Sequence, residues 1–331
     1  MTLRKVNVIL LLLVGVAFVI IVQRNLLRLG DLLHKESPDS GLILPFEGEL
    51  SPDPEPRRRG EEIPVLLTAA EDRLGAVIAA MNSVYHNTKA NVVFTVVALN
   101  GTVDHLKEWL SKTKLKKVKI KILVFEPSLF SSRISKEPQT LETSNLLTFA
   151  RFYLPVYIPG AEKAIYLDDD IIVQGDIKEL YDSNLKAGHA AAFSDDCDSG
   201  SAKGIIRGAG NQNNYIVENQ NITQQLEHWM ELNTREELYS KNLAGSITTP
   251  PLLLVFYKRH SSIDPLWHVR HLGTTGAGNR YSPQFVRAAK LLHWNGHYKP
   301  WGRLSSFTDV WDKWFIPDPA GKFQPVRRHA D

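Results

Sequence analysis

The chain has a single cysteine, Cys197, in 331 residues, so no disulfide can form within it and its core must close by packing. A charge bias is missing as well. Against 39 basic residues stand 36 acidic ones, and a formal net charge of +3 argues against a nucleic-acid partner. No internal repeat and no low-complexity tract is present, which excludes solenoid and disordered architectures. What remains is an ordinary globular composition, 43% hydrophobic, enough for the large core of an α/β protein.

Charge is also absent from one continuous stretch, Val8 to Val22, which follows Arg4 and Lys5. The run is shorter than the roughly 20 residues a bilayer requires, but Val6, Asn7 and Gln23 can extend it. No small-x-small cleavage site follows; Gln23-Arg-Asn-Leu26 stands there instead. The pattern predicts an uncleaved signal anchor over 8–23, a cytosolic tail over 1–7 and a single-pass type II membrane protein, with Arg24 and Arg28 weakening the charge asymmetry. A buried soluble helix is the competing reading, and the extreme terminal position argues against it. Sequons at Asn100 and Asn221 offer glycosylation sites and fit a lumenal, Golgi-type location. Residues 24–62, with Pro38, Pro45, Pro52, Pro54 and Pro56, read as an extended stem.

The globular part is expected over 63–319, with 320–331 as a tail. Strands are predicted at 63–70, 91–99, 118–125 and 164–167, separated by helices at 74–85, 102–110 and 147–154. This alternation predicts an α/β fold, a mainly parallel sheet with helices on both faces. A short strand at 189–194, an amphipathic helix at 221–232 and a buried run at 251–257 follow.

The strand at 164–167 leads into Asp168, Asp169 and Asp170. Three adjacent anions beside an apolar run repel one another, and chains tolerate that chiefly where a cation neutralises them. Strand alternation would turn Asp168 and Asp170 to one side and Asp169 to the other, a two-carboxylate grip suited to Mg²⁺ or Mn²⁺. Ligands collect at the carboxyl ends of parallel strands, where Glu71-Asp-Arg73 also falls. A second segment, His293-Trp-Asn-Gly-His-Tyr-Lys-Pro-Trp301, combines an imidazole, Gly296 for close backbone approach and the charge of Lys299. Such a Trp- and Pro-containing segment is as often plain packing. Beside the carboxylates it completes an Asp, Asp, His set that favours Mn²⁺.

The stretches Ala-Arg-Phe-Tyr-Leu-Pro at 150–155, Tyr-Leu-Asp-Asp-Asp at 166–170 and the 293–301 segment together resemble glycosyltransferase family 8, retaining nucleotide-sugar transferases that include glycogenin. The resemblance spans residues 63–319. It implies a Rossmann-like glycosyltransferase A fold, a UDP-sugar donor, hexose transfer to a glycan, protein or lipid acceptor, and Mn²⁺ or Mg²⁺ held by Asp168, Asp170 and His293. It places Gly296 and Lys299 on the diphosphate, Ala69, Glu71 and Arg73 at the uridine, and Arg151 with Asp169 at the donor sugar. A phosphatase built on Asp-x-Asp is weaker, because Ile172 stands where that chemistry wants a hydroxyl.

Two departures from the family pattern favour an alternative: a catalytically impaired lumenal protein that still binds nucleotide or metal. A Gly/Asn-rich join, Gly210 to Ile216, runs directly into Val217, where the family carries a further strand and helix start. Ala244-Gly-Ser-Ile247 lies where an Asp-Gln pair is usual. Loss of an inner strand exposes backbone hydrogen-bonding groups. Restoring the segment is therefore expected to raise both the melting temperature and the turnover; equal values with and without it would refute the reading.

Overall fold

The computed structural model describes residues 60–127, 146–193, 222–236, 238 and 248–327. The predicted anchor over 8–23, the stem up to residue 59, the sequon at Asn221, the join at 210–216 and the 244–247 segment all lie outside them. Among the described residues no helix is long and apolar enough to cross a membrane.

Four parallel strands form the central sheet in the order β3-β2-β1-β4. They are β1 (Glu62–Ala69), β2 (Asn91–Ala98), β3 (Lys119–Val124) and β4 (Ile165–Tyr166). The near-continuous apolar run of β2, Val92-Val-Phe-Thr-Val-Val97, is what a strand covered on both faces requires. Alternation then sorts side chains into two cores. Ile63, Val65 and Leu67 of β1 and Phe94 and Val96 of β2 meet buried residues of helices Leu74–Asn87 and Val103–Ser111. Leu66 and Val97 point the other way, among residues of helices Ile222–Glu236 and Thr249–Phe256. Helices therefore cover both faces, as the strand–helix alternation predicts.

Two small sheets complete the fold. β5 (Ile171–Val173) pairs antiparallel with β8 (Leu291–His293), and β6 (Ala191–Phe193) pairs parallel with β7 (His260–Ser262). The helix expected at 147–154 is instead a 3-10 helix, Leu147–Tyr153, followed by a short α-helix, Leu154–Tyr157. Pro155 explains the break. Within one continuous helix its ring would clash with the carbonyl of Arg151, whereas in the first turn of a new helix no N–H is needed. The run at 251–257 is helical, with Pro250 and Pro251 buried in its first turn.

Two further differences concern the site and the chain end. The chain leaves β4 after Tyr166 and re-enters a strand at Ile171, so the three aspartates occupy a bend rather than a strand. Phe323, assigned by sequence to a tail, is buried in the first core with Trp109 and Phe315 and lies against Gly75, where a Cβ would fall 2.2 Å from its ring. His105 bridges this end of the chain to the turn after β1, with Nδ1 2.7 Å from Glu71 Oε1 and Nε2 3.0 Å from Asp318.

The buried Ser83 hydroxyl accepts the Val173 N–H at 3.0 Å and ties the strand after the aspartates to helix Leu74–Asn87. Ser83→Ala leaves that donor unsatisfied and is expected to cost about 1–3 kcal/mol in urea denaturation. An unchanged midpoint would show that another group satisfies the Val173 amide.

Candidate active site at the carboxyl edge of the sheet

Backbone pairing brings the site together before any side chain acts. Leu167 donates to the Leu66 carbonyl at 3.0 Å and Leu99 to that of Ala69 at 3.2 Å, so β1, β2 and β4 end at one edge. Antiparallel register sets His293 opposite Ile171, next to the bend, and the Trp294 N–H donates to the Asp170 carbonyl at 2.9 Å. The His293 ring is thereby delivered to the aspartates from a segment more than 120 residues away in sequence.

Each aspartate has its own cationic partners. His293 Nε2 lies 3.0 Å from Asp170 Oδ1 and 3.6 Å from Asp168 Oδ2. Lys299 Nζ pairs with Asp170 and also donates to the Trp294 carbonyl at 3.2 Å. Arg73 binds Asp169 through Nε and a terminal nitrogen, reaches Asp170 at 3.6 Å and lies over the Trp301 ring. Arg151 donates to Asp168 at 3.2 Å and to the Thr148 carbonyl at 3.1 Å, with its guanidinium over Tyr166.

The electrostatics follow from this packing. Burial alone would raise the Asp170 carboxyl, but His293, Lys299 and Arg73 hold it far below the usual carboxylate range. Burial disfavours the charged His293 ring, and Asp170 and Asp168 outweigh it and push its pKa upward. For Arg73 the carboxylates likewise outweigh burial and secure its charge. The neighbouring His268 is pushed down to about 4, first by burial and then by His293.

Asp168, Asp170 and His293 each offer a ligand atom within 4.8 Å of the others, and among the described residues no other such group of three exists. Two carboxylate oxygens and an imidazole nitrogen are a donor set that fits Mn²⁺, and less closely Mg²⁺. Lys299 joins them as expected. Gly296 has φ +123°, and a Cβ there would fall 2.5 Å from the Gly273 carbonyl, so glycine is required by the backbone crossing itself.

Other expected residues are engaged differently. Arg151 meets Asp168, while Asp169 is taken by Arg73. Glu71 faces His105, and Ala69 is the buried last residue of β1. Asn100 is exposed just beyond β2. Sequence reasoning missed His105 and His268, because each acts on a partner far away in the chain and no local spacing marks it.

The neighbouring folds define the class first. The chain resembles the solved structures of the galactosyltransferase LgtC, among them its complex with donor and acceptor sugar analogs. That likeness has a TM-score of 0.57 at 15% identity and covers 79% of this chain and 100% of that one. The bifunctional glycosyltransferase WbbM gives a TM-score of 0.53 at 17% identity over 78% of this chain and 50% of that one. The fold is the Rossmann-like glycosyltransferase A type. Residues 64–305 match glycosyl transferase family 8, and the chain belongs to that family. It is 58% identical to glycosyltransferase 8 domain-containing protein 1 of Danio rerio, covering all of both chains, and 53% identical to that of Homo sapiens, covering 100% of this chain and 99% of that one. The zebrafish alignment extends over 366 positions, so that relative carries positions which these 331 residues skip.

Gly296→Ala forces a Cβ against the Gly273 carbonyl at positive φ. The substitution is expected to destabilise the protein by about 1–3 kcal/mol in chemical denaturation. A variant as stable as the parent would mean that the two loops can separate without loss.

Proposed function

We propose that the chain is a retaining glycosyltransferase that moves a hexose from a UDP-sugar to a glycan, protein or lipid acceptor, in the Golgi lumen and anchored by residues 8–23. The observation that carries this reading is the convergence of Asp168, Asp170 and His293 at the carboxyl edge of a parallel sheet, with Lys299 and Arg151 beside them. The membrane reading rests on the uncharged run from Val8 to Val22 and the sequons, of which Asn100 is exposed.

Asp168, Asp170 and His293 would hold Mn²⁺, or Mg²⁺, and such an ion would supply charge neutralisation for a diphosphate leaving group. Lys299 adds a second positive charge, which counts most as the anomeric bond breaks and negative charge gathers on the departing diphosphate. Gly296 lets the backbone approach the phosphates without side-chain interference. Ala69 and the Glu71–Arg73 turn border the uridine end, with Arg73 and Glu71 held by Asp169 and His105. Arg151, fixed by Asp168 and Thr148, and Asp169 border the donor sugar. Attack on the face that the diphosphate leaves, through an oxocarbenium-like state, would retain configuration.

The positions that the chain skips relative to its zebrafish relative favour a second reading, a lumenal protein that binds nucleotide or metal without transfer. Calorimetry with UDP and Mn²⁺, alongside a hydrolysis screen of UDP-sugars, separates the two; binding without hydrolysis of any donor selects the second. Asp170→Asn is expected to abolish Mn²⁺-dependent UDP binding while the protein stays folded by thermal melting. Unchanged metal-dependent affinity in that variant would rule out the ligand assignment.

A further inference from the structure

His268 lies outside every role assigned so far, yet its Nε2 stands 3.0 Å from His293 Nδ1, with the two ring planes inclined by 30°. This contact is built by backbone, not by chance proximity of surface side chains. His268 ends a 3-10 helix, Pro265–His268, whose start is capped by Asp264 accepting from the Leu266 N–H at 2.9 Å. The residues that follow are sewn to β8. The Val269 N–H donates to the Leu291 carbonyl at 3.0 Å, the His293 N–H to the Val269 carbonyl at 2.8 Å, and the Leu272 N–H to the His293 carbonyl at 3.3 Å. Trp267, the neighbouring residue, is buried, so the segment has little freedom to carry His268 away.

A contact between two imidazole nitrogens needs one N–H and one lone pair. The other nitrogen of His293, Nε2, faces both Asp168 and Asp170. For Nε2 to offer its lone pair to a cation, the ring proton must sit on Nδ1, and that proton needs an acceptor. We infer that His268 is a positioning residue: its Nε2 accepts a hydrogen bond from His293 Nδ1–H and fixes the tautomer and ring orientation that turn His293 Nε2 toward Asp168 and Asp170. The inference rests on the reading of Asp168, Asp170 and His293 as a metal site, and it adds a partner without which the third ligand is free to rotate or to carry its proton on the wrong nitrogen.

The test measures Mn²⁺ affinity by electron paramagnetic resonance, without nucleotide, on the full chain and three variants whose folding is checked by thermal melting. His268→Leu is expected to weaken Mn²⁺ binding by about 10–100-fold, the usual effect of losing such an outer partner. His268→Gln, whose side-chain carbonyl can accept the same proton, is expected to recover most of it. Wild-type affinity in His268→Leu, with binding lost in Asp170→Asn, overturns the inference and leaves the metal site standing. Equal loss in the folded Leu and Gln variants overturns it too, since packing alone would then account for the effect. Wild-type affinity in Asp170→Asn overturns the metal site and the inference with it. Long-range ¹H–¹⁵N spectra of the metal-free parent provide a readout that does not depend on any variant. They are expected to place the shared proton on His293 Nδ1, and a proton on His268 Nε2 instead overturns the inference.

Discussion

Mutual repulsion among three consecutive carboxylates organises this protein. Asp169 and Asp170 are buried at the end of a parallel sheet, where unpaired anions are costly. The chain answers with cations from four separate segments: Arg73 from the turn after β1, Arg151 from the 3-10 helix, His293 from β8 and Lys299 from the loop beyond it. Site and fold are therefore not separable. The same pairs that make the bend tolerable draw together stretches far apart in sequence.

The three aspartates divide the work. Asp169 is committed to a two-point grip by one arginine, which suits an anchor. Asp170 is shared by an imidazole, an ammonium and, at longer range, a guanidinium, while Asp168 is the most exposed of the three. On the proposed metal reading, a divalent cation held by Asp168 and Asp170 would compete with Lys299 and with a proton on His293.

The parallel sheet and its two covered faces were legible because apolar strands such as 91–98 and an Ala-rich helix such as 74–87 state their environment locally. The Asp, Asp, His grouping was legible in residue type, and the strand alternation assumed for it was not the way it is built. A bend achieves the same division, with Asp168 and Asp170 toward His293 and Asp169 toward Arg73. The partners of Glu71 and Arg73 could not be read, since His105 and Asp169 lie 34 and 96 residues away. The break near residue 154 was encoded plainly by Pro155, and the apolar periodicity around it concealed the signal.

The segment from Asp318 to Phe323 has a consequence for the order of folding. Asp318 accepts from His105 and from the N–H groups of Ala320 and Phe323, and the Phe323 ring closes the wall behind Gly75 of the first described helix. Gly75 of the first described α-helix is thus covered by a residue more than 240 positions further along the chain. That contact joins the two ends of the described domain, so the flank of the helix and Trp109 gain this cover only when the distant segment packs, a closure of high sequence separation that comes late in folding.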